Sequence, residues 1–138
     1  MKSVLIINGP NLNLLGTRET AIYGQQTFEV YLEELKARFI GLSIDYKQSN
    51  DEAVLISFLH QANQDAIIIN GGAYSHTSIA LADAVKAINK TVIAVHISNT
   101  FIREDFRKTD YLAQAASGAI IGLGLAGYAL AIEHLLDI

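Results

Sequence analysis

The chain has 138 residues, enough for one domain with a genuine core and not for two. Its 10 Lys and Arg against 14 Asp and Glu leave a net charge of -4, which argues against nucleic acid or an anionic membrane as the main partner. The absence of cysteine excludes disulfides, thiolate catalysis and thiolate metal sites. With 51% apolar and only 17% charged residues, the chain carries more apolar surface than a small monomer readily hides, so a homo-oligomer is expected, although an unusually large core would give the same composition.

Apolar runs alternate with helical patterns along the whole chain. Val4, Leu5, Ile6 and Ile7 open it as a buried strand, so Met1-Lys2 lacks a signal-peptide layout and a cytoplasmic location is expected. Residues 9–26 follow as a long loop rich in Asn and Gly. Thr27 reads as a helix N-cap, with Phe28, Tyr31, Leu32, Leu35 and Phe39 recurring at helical spacing up to Gly41. Leu42, Ile44 and Tyr46 then alternate with Ser43, Asp45 and Lys47, as in a half-covered strand. Ser49 and Glu52 read as a capping box before a helix carrying Leu55, Ile56, Leu59 and Ala62.

Residues 66–69 form a short apolar strand ending at Asn70. A turn through Gly71, Gly72 and residues 75–78 leads into a helix with Ile79, Leu81, Ala84, Val85 and Ile88. Residues 91–97 form a β-branched strand, 98–110 a charged connector with room for a short helix, 119–121 a fifth strand, and 125–136 a closing helix. Uniformly apolar strands alternating with helices predict an α/β fold: a parallel five-stranded sheet covered on both faces, in the flavodoxin-like order 2-1-3-4-5. The prediction is one domain over residues 1–138, with ligands bound beyond the carboxyl ends of the strands.

Polar residues collect at those ends. Strand one ends in Asn8-Gly9-Pro10-Asn11, strand three in Asn70-Gly71-Gly72, and strand four in His96-Ile97-Ser98-Asn99. Any one of these asparagines could simply cap a turn, but the set together predicts a site. The loop before Thr27 is long for a βα connection and carries Arg18 and Tyr23. It reads either as a lid with a cation and a phenol on its underside or as a surface loop whose tyrosine packs back. Residues 122–127 fit G-x-G-x-x-G, yet the chain ends one helix later, without the βαβ unit or ribose-binding acid of a dinucleotide site. His60 and His134 lie on helices away from the strand ends. His76 and His96 have no carboxylate at ligand spacing, so no metal is expected.

These residues resemble one family throughout. Residues 8–16 (Asn8 to Gly16), Arg18-Glu19, Tyr23-Gly24, Gln48-Ser49-Asn50, residues 72–78, His96-Ile97-Ser98-Asn99, residues 103–107 and Gly122-Leu123-Gly124 are similar, in order, to type II 3-dehydroquinate dehydratases. The resemblance implies a flavodoxin-like subunit assembled as trimers and commonly as a homododecamer. It implies a lyase of the shikimate pathway of aromatic amino acid biosynthesis, acting on a small-molecule substrate without cofactor, metal or Schiff base. The reaction is an anti elimination of water from 3-dehydroquinate through an enolate, giving 3-dehydroshikimate.

Carried over by position, the resemblance makes Tyr23 the base, with Arg18 favouring its phenolate, and Asn11 the group that steadies the enolate oxygen. His96 would protonate the departing hydroxyl. Asn70, His76 and Arg107 would hold ring hydroxyls, the backbone at Ile97 and Ser98 the carboxylate, and Asp83 would reach a neighbouring subunit's site.

The chain departs from the pattern in a few places. Ala94 stands where the family usually places a glutamate, two residues before His96 and on the same side of the strand. The carboxylate that would orient the imidazole is therefore missing at that position, and a weakly active or non-catalytic binder of a cyclic polyhydroxy acid is the alternative expectation. Ala82 stands where the family often has arginine, and the two losses are expected to belong to one interaction. Gly71 replaces a proline or alanine and is expected to loosen the loop behind Asn70. Lys108-Thr109-Asp110 stands in place of His-His-Ser, and Ala53 in place of a glycine.

Overall fold

The computed structural model describes residues 1–17 and 26–138. Five strands, β1 (Ser3–Asn8), β2 (Ser43–Gln48), β3 (Ala66–Asn70), β4 (Thr91–His96) and β5 (Gly118–Ile121), form one sheet in the order β2-β1-β3-β4-β5. Every pairing is parallel. This is the order expected from the alternation of strands and helices.

Helices α1 (Phe28–Arg38) and α5 (Ala126–Asp137) pack on one face of the sheet. Helices α2 (Glu52–Gln61), α3 (Ile79–Ala87) and α4 (Tyr111–Ala115) pack on the other. Strand alternation divides the core between them: Val4 and Ile6 point to the first face, Leu5 and Ile7 to the second. Residues 4–7 of β1 and 66–69 of β3 are apolar at every position because both faces of these strands are covered, and each fully buried Leu or Ile contributes about 1.5–3 kcal/mol. β2 lies at the edge, so its Ser43 and Asp45 face solvent while Ile44 is buried.

Local chemistry starts most helices. Thr27 accepts a hydrogen bond from the Val30 N–H at 3.3 Å, and Ser78 accepts one from the Leu81 N–H at 2.9 Å. The predicted capping box at α2 is not formed. Asp51 is the cap there, its Oδ1 accepting from Ala53 and Val54, while the Ser49 hydroxyl accepts from the Asp51 N–H. A carboxylate one residue from the helix reaches two open N–H groups and complements the helix dipole, so it wins over Ser49. The charged connector holds two 3-10 turns, and beyond it stands α4, which the sequence pattern had not marked out.

The connection through α1 leaves β1 on one face and the connection through α2 reaches β3 on the other, so a crevice opens beyond the ends of β1 and β3. Among the described residues, no helix is long and apolar enough to cross a membrane.

Candidate active site

A cleft of about 730 Å³, open to solvent on one side, lies beyond the carboxyl ends of β1, β3 and β4. Asn11, Asn70, His76, His96, Ile97, Ser98 and Arg107 all line it, joined by Thr100 and Arg103. Seven positions expected at the site from sequence are thus brought to one cavity.

The first wall is built on strain and backing. Asn11 has φ 68°, the only non-glycine residue in the left-handed region among the described residues. Asparagine tolerates that region better than most residues, and such conformations persist where the surroundings over-determine them. Here the Asn11 N–H donates to Asn50 Oδ1 at 3.0 Å, and Gln48 Nε2 donates both to that oxygen and to the Gly9 carbonyl, each at 3.1 Å. The Tyr74 hydroxyl donates to the Asn50 carbonyl at 2.8 Å. Gln48 and Asn50 are therefore braces for the loop that presents Asn11. Gly9 is packed so closely that a Cβ would stand 2.6 Å from the Gly71 carbonyl oxygen.

Asn8 and Asn70 are register partners at the ends of β1 and β3, and both turn toward α5. Tyr128, fully buried on α5, donates its hydroxyl proton to Asn8 Oδ1 at 2.7 Å and accepts from Asn70 Nδ2 at 3.0 Å. Burial pushes the Tyr128 phenol far up, outweighing the hydrogen bonds that lower it, so it stays a donor. Asn70 Oδ1 accepts from the Gly72 N–H at 3.1 Å. Asn8 is thus structural, whereas Asn70 reaches the cleft with its amide already oriented.

The second wall is the histidine side. His96 Nε2 and Asp110 Oδ2 are 2.7 Å apart, with side chains only 7% and 8% exposed. The His76 ring stacks on His96, centroids 5.4 Å apart and planes 16° from parallel. His76 Nδ1 donates to the Thr109 carbonyl at 2.7 Å, which leaves Nε2 buried without a partner among the described residues. The two histidines and a carboxylate, far apart in sequence, thus form one cluster, and the carboxylate expected to be missing beside His96 because of Ala94 comes from Asp110. Among the described residues no three His, Asp or Glu side chains are grouped as a metal site would need.

Burial pushes the Asp110 carboxyl up, but the hydrogen bonds from His96 and the Ala113 N–H outweigh it, and its pKa lies below the ordinary 3.8. Burial lowers the His76 pKa below 6.5, against the Thr109 bond, which raises it. The folded state therefore holds fewer protons at His76 than the unfolded state between that lowered value and 6.5. Stability from this site is full above 6.5 and falls as the pH drops through that window. The corresponding window for Asp110 lies lower, below 3.8. Urea midpoints of wild type and His76→Gln, compared at about pH 7.5 and about pH 5.5, should show the wild type losing more stability on acidification.

The pattern of the class II dehydroquinases matches residues 2–136. The chain belongs to the class II dehydroquinase family. It is 49% identical to a catabolic 3-dehydroquinase of Emericella nidulans, over 97% of this chain and 90% of that protein. It is 47% identical to a 3-dehydroquinate dehydratase of Variovorax paradoxus, over 98% of this chain and 99% of that protein. The solved type II dehydroquinase from Propionibacterium acnes superposes with a TM-score of 0.94 at 39% identity, covering 100% of this chain and 98% of that one.

Within this class II dehydroquinase fold, the remaining expected positions fall as follows. Arg18 and Tyr23 lie outside the described residues. Asp83 is exposed on α3 and does not line the cleft. Arg107 pairs with Glu104 and stacks its guanidinium 5.1 Å from the Phe106 ring, on the cleft wall. Arg103 lines the same wall, its Nη1 donating to Ser98 Oγ at 3.4 Å; sequence reasoning had noted it without a role. Asp110, an acidic residue in the position of a family serine, reaches His96, a contact that its place in the sequence does not assign. Gly71 has φ -74°, which any residue can adopt, and a Cβ there would lie 2.3 Å from Leu112 Cδ1, so the glycine leaves room for Leu112.

The G-x-G-x-x-G run is likewise accounted for by geometry. Gly122 and Gly124 have positive φ, and their N–H groups donate to the His96 and Ile97 carbonyls at 3.0 Å each. A Cβ on Gly127 would meet Val95 Cγ1 at 3.3 Å. Two of the amides that a phosphate would need are thus committed to β4.

Proposed function

We propose that this chain is a 3-dehydroquinate dehydratase, a lyase that removes water from 3-dehydroquinate to give 3-dehydroshikimate. The observation that carries the reading is the convergence of Asn11, Asn70, His76, His96 and Arg107 on one cleft in a chain of the class II dehydroquinase family. Tyr23 acts as base on the proton alpha to the ketone. A free tyrosine titrates near ~10, and the cation of Arg18 favours its phenolate. Electron density moves onto the ketone oxygen, and Asn11 steadies that enolate as a preorganised dipole. The enolate then reforms its carbonyl as the β-hydroxyl departs, taking its proton from His96 to leave as water. Asn70, His76 and Arg107 hold ring hydroxyls, and the backbone at Ile97 and Ser98 the carboxylate.

The alternative of a non-catalytic binder drew on Ala94; the carboxylate missing there stands on Asp110 instead. A homo-oligomer, with trimers assembling to a dodecamer, is part of the same proposal, and Asp83 would enter a neighbour's site. Exposed Phe101, Ile102 and Phe106 beside the cleft support association. A cytoplasmic location is part of the same proposal.

The test is a steady-state assay on 3-dehydroquinate, following the absorbance of the conjugated product. Turnover is expected in the presence of a chelator, and borohydride should trap no substrate on lysine. Tyr23→Phe and Arg18→Ala should each lower kcat by about 100-fold or more. Absence of turnover by the intact oligomer removes the reading.

A further inference from the structure

We propose that Asp110 is the positioning residue of the acid, turning Nε2–H of His96 to its carboxylate and leaving Nδ1 to deliver the proton. This rests on the dehydratase reading for its chemistry, but its geometry stands independently. A carboxylate of lowered pKa accepts and does not donate, so Nε2 carries a proton in both charge states of the ring. The orientation and tautomer of a working histidine are set by the partner of its other nitrogen. Nδ1 has no hydrogen-bond partner among the described residues, and His96 lines the cleft.

Asp110 is itself held from behind. Its Oδ1 accepts from the Ala113 N–H at 2.9 Å, capping α4 while Oδ2 holds the imidazole. The carboxylate therefore cannot turn away from His96 without uncapping the helix. Leu112, 1% exposed, seats α4 in the space that a side chain at Gly71 would fill. Thr109 binds His76, which stacks on His96. Residues 109–112 thus orient both histidines. Ala94 faces the same side of β4 as His96 and is 2% exposed, so the strand offers no charge of its own to the ring. The support that the strand lacks arrives from α4, across the layer.

Asp110→Asn and Asp110→Ser both keep a good helix cap, since Asn and Ser cap about as well as Asp. Each should fold with a melting temperature close to wild type. In each, kcat should fall by about 100-fold or more while KM changes by no more than about threefold, because orientation matters most in the proton-transfer step. A long-range ¹H–¹⁵N spectrum should find neutral His96 as the Nε2–H tautomer in wild type. In Asp110→Asn, an amide N–H turned to the ring should favour the Nδ1–H form.

If wild type turns over 3-dehydroquinate and both variants keep its kcat, the proposal is overturned while the dehydratase reading stands. A wild-type Nδ1–H tautomer overturns it too, as does an Ala94→Glu variant faster than wild type. If wild type shows no turnover, the dehydratase reading falls, and the tautomer decides on Asp110 by itself.

Discussion

His96→Gln should leave the fold standing and reduce kcat by about 10²–10⁴-fold, the usual range for loss of a general acid. Glutamine can still donate an amide proton toward Asp110, so the buried carboxylate keeps a partner, but it has no proton to give to a departing hydroxide. KM should change much less than kcat, since the ring acts where the C–O bond breaks. His96→Ala should be equally inactive and also unstable. It strands a carboxylate that is 8% exposed and removes one of the hydrogen bonds that keep it ionised. Leaving a buried charge without its partner costs about 3–5 kcal/mol, or on the order of 10 °C in melting temperature. Equal stability of the two variants, measured by thermal and urea unfolding, would contradict the buried pair; full activity in either would remove His96 from the chemistry.

Tyr128→Phe should lower stability by about 2–4 kcal/mol, an effect larger than its loss of one oxygen suggests. The hydroxyl serves two buried amides, Asn8 and Asn70, that are 0% and 2% exposed. Asn8 Oδ1 accepts the Tyr128 proton, so losing the hydroxyl would strip that buried oxygen of its donor. A buried polar atom left unsatisfied costs its full desolvation, about 1–3 kcal/mol each. Asn70, freed on one side, should also lose its fixed aim into the cleft and raise KM. Urea unfolding measures the first effect and steady-state kinetics the second. A shift below about 0.5 kcal/mol would mean that the hydroxyl is not the bridge between the strand ends.

The fold was legible because it depends on local pattern. Runs such as residues 66–69 and 92–95 are apolar at consecutive positions, as a strand covered on both faces requires. Helical spacing in residues 28–39 and 126–136 supplied the cover. Much of the site was legible as well, since polar residues at the carboxyl ends of apolar strands have few other reasons to be there.

What could not be read was partnership across the sheet. From Ala94 the sequence suggested a histidine without a carboxylate, because residues two apart on a strand were the only neighbours it could name. Asp110, 14 positions away, takes that place. Its position depends on where α4 docks, and α4 is five residues long, too short for periodicity to reveal. Gly71 misled for a similar reason: it was read for backbone freedom, while its use is the room it leaves for Leu112.

The sequence by itself determined the layer order, the family and the residue types that meet at the strand ends. Those follow from local periodicity and from motifs that stay contiguous along the chain. Only the tertiary structure decided that Asp110 supports His96, that His76 stacks beside it, and that Tyr128 ties Asn8 to Asn70. Such contacts depend on how helices seat against a sheet, and close packing sets that through side-chain volumes far apart in sequence.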